Sequence, residues 1–74
     1  MEDLDYALRM IPTSHRQWIL RSLRSGSASP EQVVSRFTTS KQDPVYRPML
    51  RGLVEVKHAT GSYLELKLKE IDLR

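Results

Sequence analysis

The chain contains no cysteine, so neither a disulfide nor a thiolate metal site can hold it together. Its three glycines, Gly26, Gly52 and Gly61, are scattered, which excludes a glycine-rich loop cradling phosphates. No apolar run approaches the ~20 residues that a membrane-spanning helix needs. The opening Met1-Glu2-Asp3-Leu4-Asp5 is acidic, where a signal peptide would be basic and then apolar. The expectation is an intracellular domain with no membrane partner. Histidine is scarce too: His15 and His58 fit no metal-ligand spacing. No nucleophile is accompanied by a base and an orienting third group. Glu2, Asp3 and Asp5 cluster at a helix start, where the helix dipole accounts for them. The sequence therefore predicts no enzyme, no cofactor, no metal and no small-molecule substrate.

What is present is the balance of an ordinary folded domain. At 74 residues there is room for one domain spanning 1–74, and 39% apolar against 28% charged residues separates it from a disordered tail. The net charge of +3 is unevenly spread. The stretch 1–11 is acidic. In 62–74, Lys67, Lys69 and Arg74 balance Glu65, Glu70 and Asp72. The middle holds Arg16, Arg21, Arg24, Arg36, Lys41, Arg47, Arg51 and Lys57 against only Glu31, Asp43 and Glu55. A central basic surplus suits an anionic partner such as nucleic acid; solvated faces of amphipathic helices would show the same count.

Leu4, Ala7, Leu8 and Ile11 recur at helical spacing, predicting a helix over 3–11 that Pro12 ends. Ser14 and Gln17 have capping-box spacing ahead of Ile19, Leu20 and Leu23, with Trp18 at the edge of that stripe. This second helix runs over 14–25, and Gly26 supplies the left-handed residue after its end. Ser29-Pro30-Glu31-Gln32 is a sharp start signal: a serine cap, proline at the first helical position and glutamine closing the box. The helix it opens spans 30–38, with Val33, Val34 and Phe37 inward. Asp43-Pro44 repeats the device for a helix over 44–53, whose apolar face is Val45, Met49, Leu50 and Leu53. After Gly52 the period turns twofold. Val54 and Val56 alternate with Glu55 and Lys57, and Leu64, Leu66 and Leu68 alternate with Glu65, Lys67 and Lys69. Between them, His58-Ala59-Thr60-Gly61-Ser62 has the composition of a turn, with a glycine free to take positive φ. The pattern predicts a β-hairpin over 54–69, its leucine face laid on the helices.

The order of these elements over 14–69 resembles the winged-helix domain, an α+β fold with a helix-turn-helix core and a C-terminal β-hairpin wing. The resemblance makes 14–25, 30–38 and 44–53 the core trio, 57–62 the wing and 3–11 an extra N-terminal helix. The apolar positions Ile19, Leu20, Leu23, Val33, Val34, Met49, Leu50 and Val54, with Gly61, Tyr63 and Leu64, are similar to winged-helix segments of RNA polymerase II transcription factors. Those are the ELL elongation-factor family and the small subunit of TFIIF. The chain stops at Arg74 without the Trp-Pro-Gly-Tyr-like tail of the former. The resemblance implies a transcription-type module, nuclear in a eukaryote, that binds DNA or assembles with protein subunits of a larger complex.

Carried onto this sequence, it turns Arg47 and Arg51 toward the DNA groove and places Lys41, Lys57 and His58 near phosphates. Arginine suits that role because its planar fork grips guanine edges or phosphate oxygens bidentately. Against it, Arg47 and Arg51 are also placed to pair with Asp43 and Glu55, and Pro48 removes one helical N–H donor. A short, stiff helix of that kind suits packing better than groove reading. For a protein partner the candidates are Arg16, Trp18, Arg21 and Arg24 of the second helix, since Trp and Arg are enriched among interface hot spots; Trp18 as a lid on the core is the competing reading. His15, in the first turn of that helix, reads as structural.

Overall fold

The structure is a computed structural model and describes residues 2–72. Arg74, counted above in the balanced tail, lies outside the described residues. Among the described residues five helices follow one another: α1 Asp3–Met10, α2 Thr13–Ser25, α3 Pro30–Val34, α4 Tyr46–His58 and α5 Gly61–Asp72. No strand occurs among the described residues. The α+β winged-helix expectation is therefore overturned, and with it the wing.

The correction has a physical origin. The valine alternation is two residues long, whereas Met49, Leu53 and Val56 continue the helical stripe without a break, and all three are fully buried. Val54, which a hairpin would bury with Val56, is 39% exposed. In the last segment Leu64, Leu68 and Ile71 keep helical spacing on the inner side, and Leu66 is left 54% exposed. The run Leu64 to Glu70 consists only of Leu, Glu and Lys, all strong helix formers and none β-branched. Propensity and helical spacing outweigh the alternation. The supposed turn is the break between two helices. Ala59 donates to the Glu55 carbonyl as α4 ends, and the Thr60 hydroxyl accepts from the Tyr63 N–H at 3.2 Å to cap α5. Gly61 does not have positive φ; among the described residues only Gly26 does, at 82°, ending α2.

Of the other local signals, some hold and some do not. Both halves of the capping box at Ser29 form, Gln32 N–H to Ser29 Oγ at 3.2 Å and Ser29 N–H to Gln32 Oε1 at 2.8 Å. The third helix stops at Val34, short of the expected 38, and turns to Phe37. Thr38, the last residue of the expected helix, is buried beyond its end, with its hydroxyl donating to the Val34 carbonyl. Asp43 caps the approach to α4, its carboxylate accepting from the Val45 N–H at 2.9 Å. The Ser14 and Gln17 box does not form: α2 begins at Thr13 after Pro12, with no side-chain cap. Pro48 falls in the first turn of α4, where an N–H has no helical acceptor. It costs the helix nothing, and α4 runs for 13 residues rather than the short element expected.

The core is one cluster drawn from every helix: Leu4, Ala7, Leu8 and Ile11; Ile19 and Leu23; Val33 and Val34; Met49, Leu53 and Val56; and Leu64. Helix α4 is its axis, packed on α1, α2 and α3, while α5 lies on α1. The α1–α4 crossing is backbone-close. A Cβ on Gly52 would overlap the Asp3 carbonyl oxygen and stand 2.6 Å from Ala7 Cβ. Gly52, expected near the end of a helix, is instead the buried midpoint of α4, where glycine alone lets α1 approach.

Candidate nucleic-acid interface

The buried residues of α4 set the direction of its outer face. Opposite Met49, Leu53 and Val56 lies a solvent-facing stripe of Arg47, Arg51, Val54 and His58, spaced by three or four residues. Lys57 is exposed on its flank. Four of the five residues expected to meet nucleic acid are thus gathered on one helix, not divided between a recognition helix and a wing. Lys41 joins Arg47 from the preceding loop, the two lining a shallow depression with Gln42, Asp43 and Pro44. His58 leans to the other end, on an apolar hollow with Leu4, Glu55, Ala59 and Tyr63. Arg51 pairs with Asp3 rather than Glu55, at 3.9 Å and with two-thirds of its side chain exposed. Such a contact stabilises by at most about 1 kcal/mol. Arg47 makes no ion pair among the described residues, with Asp43 or any other carboxylate.

The four α2 candidates divide into two pairs. Arg16 is drawn inward, its side chain 12% exposed, and donates to Asp72 at 2.8 Å, tying α2 to the end of α5. Arg24 donates to the carbonyls of Val56 and Ala59, satisfying the C-terminal end of α4. Both side chains thus bond within the fold. Trp18 and Arg21 stay on the outer face of α2. Trp18 is 41% exposed and does not close the core. Its ring is met by two residues that the sequence did not nominate for binding. The Arg36 guanidinium, from the turn after α3, lies 5.1 Å from the ring centroid, and the His15 ring stands 5.9 Å away, tilted by 56°. Nothing local in the sequence joins Arg36 to Trp18, because the pairing arises only once α2 and α3 have both packed on α4.

Acidic charge is spent elsewhere. The Lys67 ammonium, with a side chain 16% exposed, lies within 3.8 Å of Glu2, Asp5 and Glu70 and 5.5 Å from the Tyr63 ring centroid. Burial pulls its pKa down, but Asp5 and Glu2, followed by Tyr63 and Glu70, outweigh that and hold it above the usual lysine value. The Tyr63 hydroxyl donates to Glu2 at 3.0 Å, and this bond above all holds its pKa above the usual phenol value. Lys67, expected on the polar face of a hairpin strand, is the clamp between α1 and α5. Among the described residues no three His, Asp or Glu side chains converge as a metal-ligating group. No described helix is long and apolar enough to cross a membrane.

Comparison with protein-family models, with curated proteins and with solved structures finds no match. Any functional reading stands on the chain's own surface.

Proposed function

We propose that this chain is a non-catalytic module that binds nucleic acid through its phosphates. The observation that carries the reading is how the fold distributes its ion pairs. Three cations, Arg16, Arg51 and Lys67, engage five carboxylates: Glu2, Asp3, Asp5, Glu70 and Asp72. These pairs use up more negative than positive charge. What remains is more basic than the whole: Arg9, Arg21, Arg24, Arg36, Lys41, Arg47, Lys57 and Lys69 have no ion-pair partner among the described residues, against Glu31, Asp43, Glu55 and Glu65. Three of these unpaired cations sit on or beside the outer face of α4. A field of that sign draws polyanions, and each phosphate neutralised releases condensed counterions.

The test is a titration with duplex and single-stranded oligonucleotides at two salt concentrations. Four phosphate contacts predict a loss of affinity of roughly a hundred-fold between about 50 and 200 mM salt. Lys41→Ala with Arg47→Ala lowers affinity and leaves the melting temperature unchanged, since neither residue makes an ion pair among the described residues. Absence of binding at the lower salt overturns the reading. It then favours the second one, a module docking on protein alone, for which the exposed Trp18 beside Arg21 is the specific observation.

A further inference from the structure

We infer that the outer face of α2, with the turn after α3, is a stacking site for a base of single-stranded nucleic acid: Trp18 is the platform, and Arg36 and Arg21 hold the flanking phosphates. This deepens the nucleic-acid reading and rests on it. Trp18 is the chain's only tryptophan, and the fold leaves it at the surface although the domain is small and has few large apolar residues with which to build a core. The indole borders an open depression of about 270 Å³ lined by His15, Ile19, Arg36 and Phe37. It also borders a smaller one, of about 160 Å³, formed with Ser14, Gln17 and Arg21. No carboxylate lines either hollow.

The chemistry of this patch selects the occupant. Flat groups of three kinds, indole, imidazole and guanidinium, meet at one point, and two unpaired cations flank it. A nucleobase offers a π-face to Trp18, and its phosphates offer the charge that Arg21 and Arg36 lack. Arg36 lies over the ring and pairs with no acid among the described residues, so its N–H donors remain open to phosphate oxygens. In a duplex the bases are already stacked on each other, so Trp18 discriminates in favour of the single strand.

Because Trp18 is unique, its fluorescence reports occupancy directly. The whole chain is titrated with oligothymidine, oligouridine and a duplex of equal length. Both single strands quench Trp18, and the duplex does not. Labelled-oligonucleotide anisotropy then shows Trp18→Ala losing roughly ten- to a hundred-fold in single-strand affinity, the range that one stacked base contributes. Trp18→Phe keeps most of the affinity, and duplex affinity is unchanged in both variants. Arg36→Ala, which leaves the indole in place, weakens single-strand binding and serves as an independent check if Trp18→Ala loses its far-UV circular dichroism. Salt-sensitive binding of all strands with unchanged fluorescence, and equal affinity in Trp18→Ala, overturns the stacking site while the nucleic-acid reading stands. Quenching by duplex and single strand alike overturns the discrimination. No binding of any strand at low salt overturns both.

Discussion

Gly52→Ala isolates the close crossing of α1 over α4. In a solvent-exposed helix interior this substitution stabilises by about 1 kcal/mol, because alanine has the higher helix propensity and restricts the unfolded chain. Here the added methyl meets the Asp3 carbonyl and comes within 2.6 Å of Ala7 Cβ, well inside ordinary van der Waals contact. One obstacle is backbone and the other a Cβ, so no rotamer change relieves the overlap. Helix α1 must lift by about 1 Å or more, loosening Leu4 and Leu8, which are 3% and 0% exposed. Overpacking of this kind costs typically 1–3 kcal/mol and more when backbone has to move. Set against the propensity gain, the net loss is about 2 kcal/mol, or roughly 8–16 °C in melting temperature for a domain of this size. Thermal and urea melts followed by far-UV circular dichroism and Trp18 fluorescence measure it. Gly61→Ala is the control: it starts α5, its Cβ would meet nothing within 4 Å, and its melting temperature should hold or rise slightly. A Gly52→Ala variant as stable as the parent, or more so, would refute the close crossing, since the two competing effects have opposite signs.

Three further outcomes test other parts of the fold. Leu64→Ala should cost about 2–4 kcal/mol as a buried truncation, while Leu66→Lys should be near neutral; equal losses at both positions in chemical denaturation would restore the shared leucine face of a hairpin. Ser29→Ala removes a hydroxyl that accepts from the Gln32 N–H at 3.2 Å and should lower stability by about 1 kcal/mol, read as a shift in the urea midpoint without a change in slope. The Lys67 and Tyr63 pKa values are both raised in the fold, so their contribution is complete below the unfolded values and is lost as pH rises through the folded ones. Melting temperature should therefore fall above about pH 10. Lys67→Met combined with Tyr63→Phe should flatten that fall, and an unchanged alkaline limb would exclude the clamp as its cause.

Local chemistry fixed much of this molecule by itself. Ser29, Pro30 and Gln32 start a helix because the cap bonds close within four residues, and Gly26 ends one because only glycine takes left-handed φ without cost. Leu4, Ala7, Leu8, Ile19, Leu23, Val33, Val34, Met49 and Leu53 are legible as core because their spacing follows the 3.6-residue turn. The last third was misread where two periods overlapped. Val54 and Val56 satisfy a twofold rhythm, yet Val56 also completes the stripe begun at Met49; Leu66 fits the alternation but not the helix, and solvent takes it. The structure makes the choice at α1, whose apolar side is covered by the inner stripes of α4 and α5 as helices. Gly52 shows the same dependence, because its purpose exists only once α1 lies across it.

The basic surplus was readable as a count, but its geography was not. Which cations are engaged within the fold is decided by contacts across the whole chain: Arg16 pairs with Asp72 and Lys67 with Glu2 and Asp5, while Arg24 bonds the carbonyls at the end of α4. Composition determined that positive charge would be in excess, since net charge is a sum over residues. Tertiary structure alone decided where it remains open, because Coulomb pairing depends on distances that only packing sets. It left Arg47 and Lys41 beside one helix and brought Arg36 to the exposed indole of Trp18.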